Sequence, residues 1–250
     1  MKVLGVIPAR YASTRFPGKP LTMIAGKSMI NRVYEQCTQC RLLNEVAVAT
    51  DDQRIADHVK EFGGNVFLTS DKHRSGTERI GEVLQILKDE NPSDHFDLVV
   101  NIQGDEPLIS PDQIVKTIGC FKDSNAEIAT LIKPISDSKE LFNPNVVKVV
   151  INKNGNALYF SRQPIPFLRG VEPAEWLQHH GYFKHIGIYA FKTQILELIV
   201  RLTGSPLEKA ESLEQLRWIE NGFSINTAIT DFESVAIDTP EDLSKLTNIL

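Results

Sequence analysis

The most constraining feature of this sequence is its first junction. The apolar run Val3-Leu4-Gly5-Val6-Ile7 passes directly into Pro8-Ala9-Arg10-Tyr11-Ala12-Ser13-Thr14-Arg15-Phe16-Pro17-Gly18-Lys19-Pro20-Leu21. A short apolar run of this kind suits a buried parallel strand. Pro17 and Pro20 exclude a helix from the loop after it, so the backbone N–H groups there lack helical partners. Free amides at a strand end, the hydroxyls of Ser13 and Thr14, and the cations Arg10, Arg15 and Lys19 together make a polyphosphate cradle. The competing reading is a surface loop with solvated charges. The segment is not a Walker loop, which would need glycine where Ser13 stands and serine or threonine where Pro20 stands. Nor does it hold the G-x-G-x-x-G of a dinucleotide site.

The next fifty residues fix the fold class. Ser28 caps a helix whose Met29, Ile30, Val33, Tyr34 and Cys37 give one apolar face. Glu45 to Thr50 reads as a second strand. Asp51-Asp52 then cap a helix carrying Ile55, Val59 and Phe62, and Gly63-Gly64 stop it before a third strand at Asn65 to Thr69. This alternation predicts an α/β fold, a mainly parallel sheet flanked by helices, with ligands at the carboxyl ends of the strands. Thr77, Glu78 and Arg79 open a further helix, and Gly76 before it allows close backbone approach. The free N–H groups there either cap the helix or meet a base edge or phosphate.

Leu98-Val99-Val100 and Ile102 mark the most central strand, which ends at Gln103-Gly104-Asp105-Glu106-Pro107. A carboxylate at the mouth of a buried strand is where Mg²⁺ finds a hard oxygen, so Asp105 is the first metal-ligand candidate. Glu106 is expected to point the other way. From Ala126 the pattern turns β-rich: Ile128 to Ile135, Val146 to Ile151, then an Asn154-Gly155 hairpin into Ala157-Leu158-Tyr159-Phe160. Residues 162–182 hold Pro164, Pro166, Gly170, Pro173 and Gly181 and are expected to form a mobile loop or arm. His185 to Phe191 returns as a strand. A single domain over 1–250 with an insertion near 140–190 accounts for this change of pattern, and the length suits it.

The later polar residues are less decided. Arg162 and Arg169 offer paired donors suited to a carboxylate, or are plain loop arginines. His185 opens a strand and is either a hydrogen-bonded structural residue or a ligand contact. Glu214 falls in the helix after Ser205-Pro206, on a stripe with Leu207, Ala210 and Trp218, facing either a pocket or solvent. Val235-Ala236-Ile237 reads as a short strand into Asp238. Thr239 and Pro240 then start the last helix and leave Asp238 free of capping.

The charge of −5 argues against a sequence-independent nucleic-acid binder and leaves the basic loop for a small anion. No apolar stretch approaches a membrane span, and the N-terminus lacks a signal peptide's apolar core, so a cytoplasmic protein beginning near Met1 is expected. Three cysteines suit that reducing compartment. The Cys37/Cys40 pair sits late in its helix, where neither a redox motif nor a metal is expected, and Cys120 alone could add a third ligand.

The loop motif resembles that of the CMP-Kdo synthetases (3-deoxy-manno-octulosonate cytidylyltransferases). The likeness continues through Ala49-Thr50-Asp51, Ser75-Gly76-Thr77-Glu78-Arg79, Asn101 to Pro107, Phe142-Asn143-Pro144-Asn145, Tyr159-Phe160-Ser161-Arg162, His185 to Tyr189 and Asp238-Thr239-Pro240-Glu241-Asp242. The resemblance implies a Rossmann-like sugar nucleotidyltransferase core with a β-rich insertion. It implies CTP bound by Pro8, Ala9, Arg10, Ser13, Arg15, Lys19, Ser75, Gly76 and Arg79. The sugar acid Kdo then falls to Gln103, Arg162, Arg169, His185, Tyr189, Glu214 and Gln215. Asp105 and Asp238 share Mg²⁺, and with Arg10 and Lys19 they form the catalytic set. The implied product is CMP-Kdo for lipopolysaccharide synthesis, made by a homodimer whose contact lies in the insertion. Alternatives are a CMP-sialic acid or 8-amino-Kdo cytidylyltransferase, or a non-catalytic CTP-binding module.

Overall fold

The computed structural model describes residues 1–12, 16–93, 95–122, 125–234 and 236–243. Ser13, Thr14, Arg15 and Val235 lie outside the described residues. The chain groups into two compact units. The first holds Met1–Val115, Ala190–Val200 and Ser234–Leu250, and the second holds Lys116–Tyr189 and Arg201–Glu233. The second unit is thus broader than the 140–190 stretch expected as an insertion.

In chain order the first unit builds β1 (Val3–Ala9), the short strands β2 (Met23–Ile24) and β3 (Lys27–Ser28), α1 (Met29–Thr38), β4 (Glu45–Thr50), α2 (Gln53–Glu61), β5 (Asn65–Leu68), α3 (Gly76–Glu90) and β6 (Leu98–Asn101). Then α4 (Pro111–Gly119) crosses the boundary. In the second unit come β7 (Ile128–Pro134), α5 (Ser138–Leu141), β8 (Lys148–Ile151), β9 (Ala157–Ser161), α6 (Trp176–His179) and β10 (Phe183–Lys192), whose last residues belong to the first unit. The first unit resumes with α7 (Thr193–Ile199). The second is completed by α8 (Pro206–Glu211), α9 (Glu214–Glu220) and β11 (Ile225–Ile229).

The first unit's sheet runs β6-β1-β4-β5, and each neighbouring pair is parallel, as the alternation of elements predicts. Its core is aliphatic: Leu4, Val6, Ile7, Ile30, Val33, Val48, Ile55, Ile80, Val99 and Val100 are fully buried. Each such side chain contributes about 1.5–3 kcal/mol of transfer free energy. The caps match the sequence reading. Ser28 accepts from Asn31 N, Asp52 from Arg54 N and Ser75 from Glu78 N, and Gly63 ends α2 with φ +79°.

The second unit orders its strands β11-β7-β10, with β8 antiparallel to both β10 and β9. The Asn154-Gly155 turn joins β8 to β9 as expected, with Gly155 at φ +78°. Within this unit the buried Lys148 ammonium donates to the carbonyls of Asn143, Val146 and Arg162 at 2.9, 2.6 and 2.5 Å. The buried Lys184 pairs with Glu140 and Glu233.

Four expectations are corrected. Lys19–Leu21 forms one 3₁₀ turn, because Pro20 occupies an N-terminal helical position where its missing N–H costs nothing. Residues 162–182 are no bare loop. They contain a 3₁₀ turn and α6, and Trp176 packs in a buried cluster with Ile135, Leu141 and Tyr182. The helix after Ser205 breaks at Ser212, whose φ of 52° ends α8, so Glu214 starts a new helix. Ala236 and Ile237 form no strand, and the final helix begins as a 3₁₀ turn, Pro240–Asp242.

Candidate functional site

Three segments of the first unit converge at the carboxyl ends of β1 and β6. The Lys19 ammonium donates to Asp105 Oδ2 at 2.7 Å and to the Ile237 carbonyl at 2.8 Å, and it lies 3.6 Å from Asp238 Oδ1. Ile237 N in turn donates to the Asp105 carbonyl at 2.9 Å. Two carboxylates from distant parts of the chain therefore face one cation.

The local causes are separable. Gly18 adopts φ +72°, and its N–H donates to the Tyr11 carbonyl at 2.9 Å, which folds the loop back before Lys19. Gly104 has no side chain to obstruct Pro8; a Cβ there would lie 2.7 Å from the Pro8 carbonyl oxygen. That close approach brings the Asp105 turn against the end of β1. Ile237 is fully buried with Ile24 and Met29, and Phe16, Leu108 and Leu243 pack against them. This apolar cluster anchors the segment that presents Asp238. Asp242 Oδ2 then accepts from the backbone N–H groups of Asp238 and Thr239, at 3.1 and 2.9 Å, and from the Thr239 hydroxyl at 3.1 Å. Two successive amides aimed at one carboxylate oxygen fix the backbone on both sides of the Asp238 Cα.

The remaining nucleotide candidates surround β1. Pro8 and Ala9 close that strand, and Gly76 passes so near that a Cβ would sit 3.2 Å from Pro8 Cγ. Ser75 caps α3. Arg10 Nη2 donates to the His73 carbonyl at 2.8 Å, so Arg10 and Lys19 have different partners rather than one common point. Arg79 is fully buried; its guanidinium donates to Thr69 Oγ1 at 2.6 Å and Asp51 Oδ2 at 3.1 Å, tying α3 to the ends of β4 and β5. Ser13 and Arg15 lie outside the described residues. Glu106 accepts from the Ser234 hydroxyl; β6 has already ended at Asn101, so the alternation of a strand does not set its direction. Gln103 follows β6 and is half-buried.

The other sugar candidates belong to the second unit. His185 Nε2 meets Thr130 Oγ1 at 3.0 Å, and its ring packs against Phe160 and Tyr189 with centroids 5.2 Å away in each case. Burial lowers the His185 pKa from 6.5 to about 3 and holds the ring neutral. Burial, helped by the nearby Glu214 carboxylate, raises the Tyr189 phenol well above its ordinary value. His185, Tyr189 and Glu214 are thus brought into one neighbourhood, with Gln215 buried beside Glu214. Glu214 Oε1 also accepts from Arg217 Nη2 at 2.6 Å. Arg162 is engaged by backbone: it donates to the carbonyls of Glu211, Pro144 and Ser212 at 2.7, 3.2 and 3.4 Å. Arg169 is exposed.

Hard oxygens of Asp105, Asp238 and the Ile237 carbonyl around a single positive charge form a donor set that fits Mg²⁺. Among the described residues no three or more His, Cys, Asp or Glu side chains gather as a metal cluster. Cys37 and Cys40 are buried free thiols, and burial raises the pKa of both. Among the described residues no helix is long and apolar enough to cross a membrane.

Residues 4–229 match the family model described as Cytidylyltransferase. The 3-deoxy-manno-octulosonate cytidylyltransferase of Parabacteroides distasonis is 55% identical over 249 residues, covering 98% of this chain and 96% of the relative. That of Bacteroides thetaiotaomicron is 53% identical, covering 97% and 96%. A solved structure of CMP:2-keto-3-deoxy-manno-octonic acid synthetase complexed with CTP superposes with a TM-score of 0.90 at 41% identity, covering 100% of this chain and 98% of the other.

Proposed function

The chain belongs to the cytidylyltransferase family, in its 3-deoxy-manno-octulosonate branch, and from that membership we propose its reaction. CMP passes from CTP to the anomeric hydroxyl of 3-deoxy-D-manno-octulosonate (Kdo), giving CMP-Kdo and pyrophosphate. The observation that carries this reading is the meeting of Lys19, Asp105 and Asp238 at the end of the first strand.

The sugar hydroxyl attacks the α-phosphorus in line with the departing pyrophosphate, so catalysis is mainly positioning and charge neutralisation. Asp105 and Asp238 would hold Mg²⁺, which when bound supplies Lewis-acid stabilisation of the α-phosphate and lowers the pKa of the attacking hydroxyl. Arg10 and Lys19 neutralise the charge that grows on the β- and γ-phosphates. Pro8, Ala9, Ser75 and Gly76 border the base and ribose with backbone groups. In the second unit, neutral His185 hydrogen-bonds sugar hydroxyls without adding charge, beside Tyr189, Glu214 and Gln215. No side-chain nucleophile is needed.

The homodimer rests on the resemblance alone, and sedimentation tests it. A cytoplasmic location is supported by the free buried thiols, which suit a reducing compartment. The reaction is tested by pyrophosphate release with CTP, UTP, ATP and GTP against Kdo, 8-amino-Kdo and sialic acid, with and without Mg²⁺. CTP, Kdo and Mg²⁺ together should give by far the fastest release. Faster turnover with sialic acid, or release independent of any sugar, would overturn the assignment.

A further inference from the structure

The carboxylate pair already holds a cation, and that cation is a side chain. Lys19 Nζ lies 2.7 Å from Asp105 Oδ2 and 3.6 Å from Asp238 Oδ1, with the Ile237 carbonyl at 2.8 Å. The Lys19 side chain is only 14% exposed. An ammonium has three N–H directions, and the acceptors around this one lie on the carboxylate side. A Mg²⁺ ion held by both aspartates needs their oxygens about 2.1 Å away, and those are the oxygens that now face the ammonium at 2.7 and 3.6 Å. An ion and an ammonium drawing on the same oxygens repel each other. The same lysine is also required at the phosphates, so one side chain faces two demands that it cannot meet at once.

We infer that Lys19 is a positioning residue for Asp105 and Asp238: it holds the two carboxylates together as a stand-in cation and is displaced when a divalent ion binds. The inference rests on the reading of those aspartates as metal ligands. Without a cation between them the carboxylates would repel and spread. With the ammonium in place the formal charge of the group falls from −2 to −1 and the pair stays assembled. Once displaced, the lysine is free to turn to the triphosphate, so the ion and the nucleotide each favour binding of the other. A divalent ion alone meets a competitor; arriving with a triphosphate, it gives that competitor a new partner.

The test uses Mn²⁺, whose electron paramagnetic resonance signal reports binding directly, on the full chain without nucleotide. Lys19→Met should bind Mn²⁺ about tenfold or more tightly than wild type, the scale of one lost charge-assisted hydrogen bond. Lys27→Met removes equal charge away from the pair, where Lys27 meets Glu35 at 2.6 Å, and should leave Mn²⁺ affinity unchanged. Equal Mn²⁺ affinity in wild type and Lys19→Met, or an equal gain in Lys27→Met, would overturn the exchange. Adding Asp105→Asn to Lys19→Met should abolish the gain. If it does not, the ion binds elsewhere, and the reading of Asp105 as a ligand fails as well. A second measurement needs no variant. Competitive acetylation read by mass spectrometry should show Lys19 of the wild type becoming more reactive with Mg²⁺ alone, relative to Lys27. Unchanged Lys19 reactivity at saturating Mg²⁺ would also overturn the exchange.

Discussion

Lys19 and Asp105 stand 86 residues apart in the chain and 2.7 Å apart between Nζ and Oδ2. Their meeting is a product of sheet order. β1 lies beside β6, with Val6 opposite Asn101, so the loop leaving one strand and the turn leaving the other emerge side by side. Asp238 joins them because Ile237 is buried against Ile24 and Met29.

The role given to Asp105 predicts a large chemical effect with a small structural one. Asp105→Asn should lower turnover on the order of 10² or more, the loss typical of one electrostatic stabiliser. Steady-state rates at saturating CTP, Kdo and Mg²⁺ check this. Near-normal turnover would remove Asp105 from the catalytic set.

Asp242 should matter to Asp238 more than to the fold. Asp242→Ala deletes the acceptor that takes both amides flanking the Asp238 Cα. Loss of such a cap costs about 1 kcal/mol, or roughly 2–4 °C in melting temperature for a chain of this size. The Mg²⁺ concentration needed for half-maximal rate should rise several-fold, and Asp242→Asn, which keeps one acceptor oxygen, should recover part of it. A melting shift with an unchanged Mg²⁺ requirement would make Asp242 a cap and nothing more.

His185 should make stability depend on pH. Its pKa is 6.5 in an ordinary setting and is lowered by desolvation to about 3 in the fold. Between those values the unfolded chain takes up a proton that the native ring refuses, so stability falls as pH drops from about 6.5 toward 3. His185→Gln removes that proton from the balance. Thermal melting at pH 7.5 and pH 5 should show a smaller drop for the variant than for wild type. Equal drops would contradict a histidine held neutral by the fold.

The first unit was largely legible because its signals are local. Ser28, Asp52 and Ser75 announce helix starts, and an unbroken apolar run such as Leu98-Val99-Val100 suits a central strand. Lys19 and Asp105 were visible as a basic loop and a strand-end acid. Their contact was not, since spacing along the chain carries no record of which strands become neighbours. Gly104 carried a weak signal, a glycine directly before the candidate ligand, but only the Pro8 carbonyl reveals why it must be small. The second unit hid more. Lys148 and Lys184 carry no local signal, yet both are buried, and their partners are carbonyls and carboxylates from separate segments. The break at Ser212 was missed because a non-glycine residue adopts a positive φ there. Arg162 suited a ligand by residue type and Arg79 by the resemblance, and only tertiary structure shows how much of each guanidinium is already engaged.

The shared site is tested most directly by anomalous diffraction from crystals grown with Mn²⁺ and a non-hydrolysable CTP analogue. One anomalous peak should lie about 2.1 Å from a carboxylate oxygen of Asp105 and one of Asp238, with Lys19 Nζ turned away to the phosphates. A peak held by the triphosphate alone, with Lys19 still seated between the two aspartates, would contradict the account.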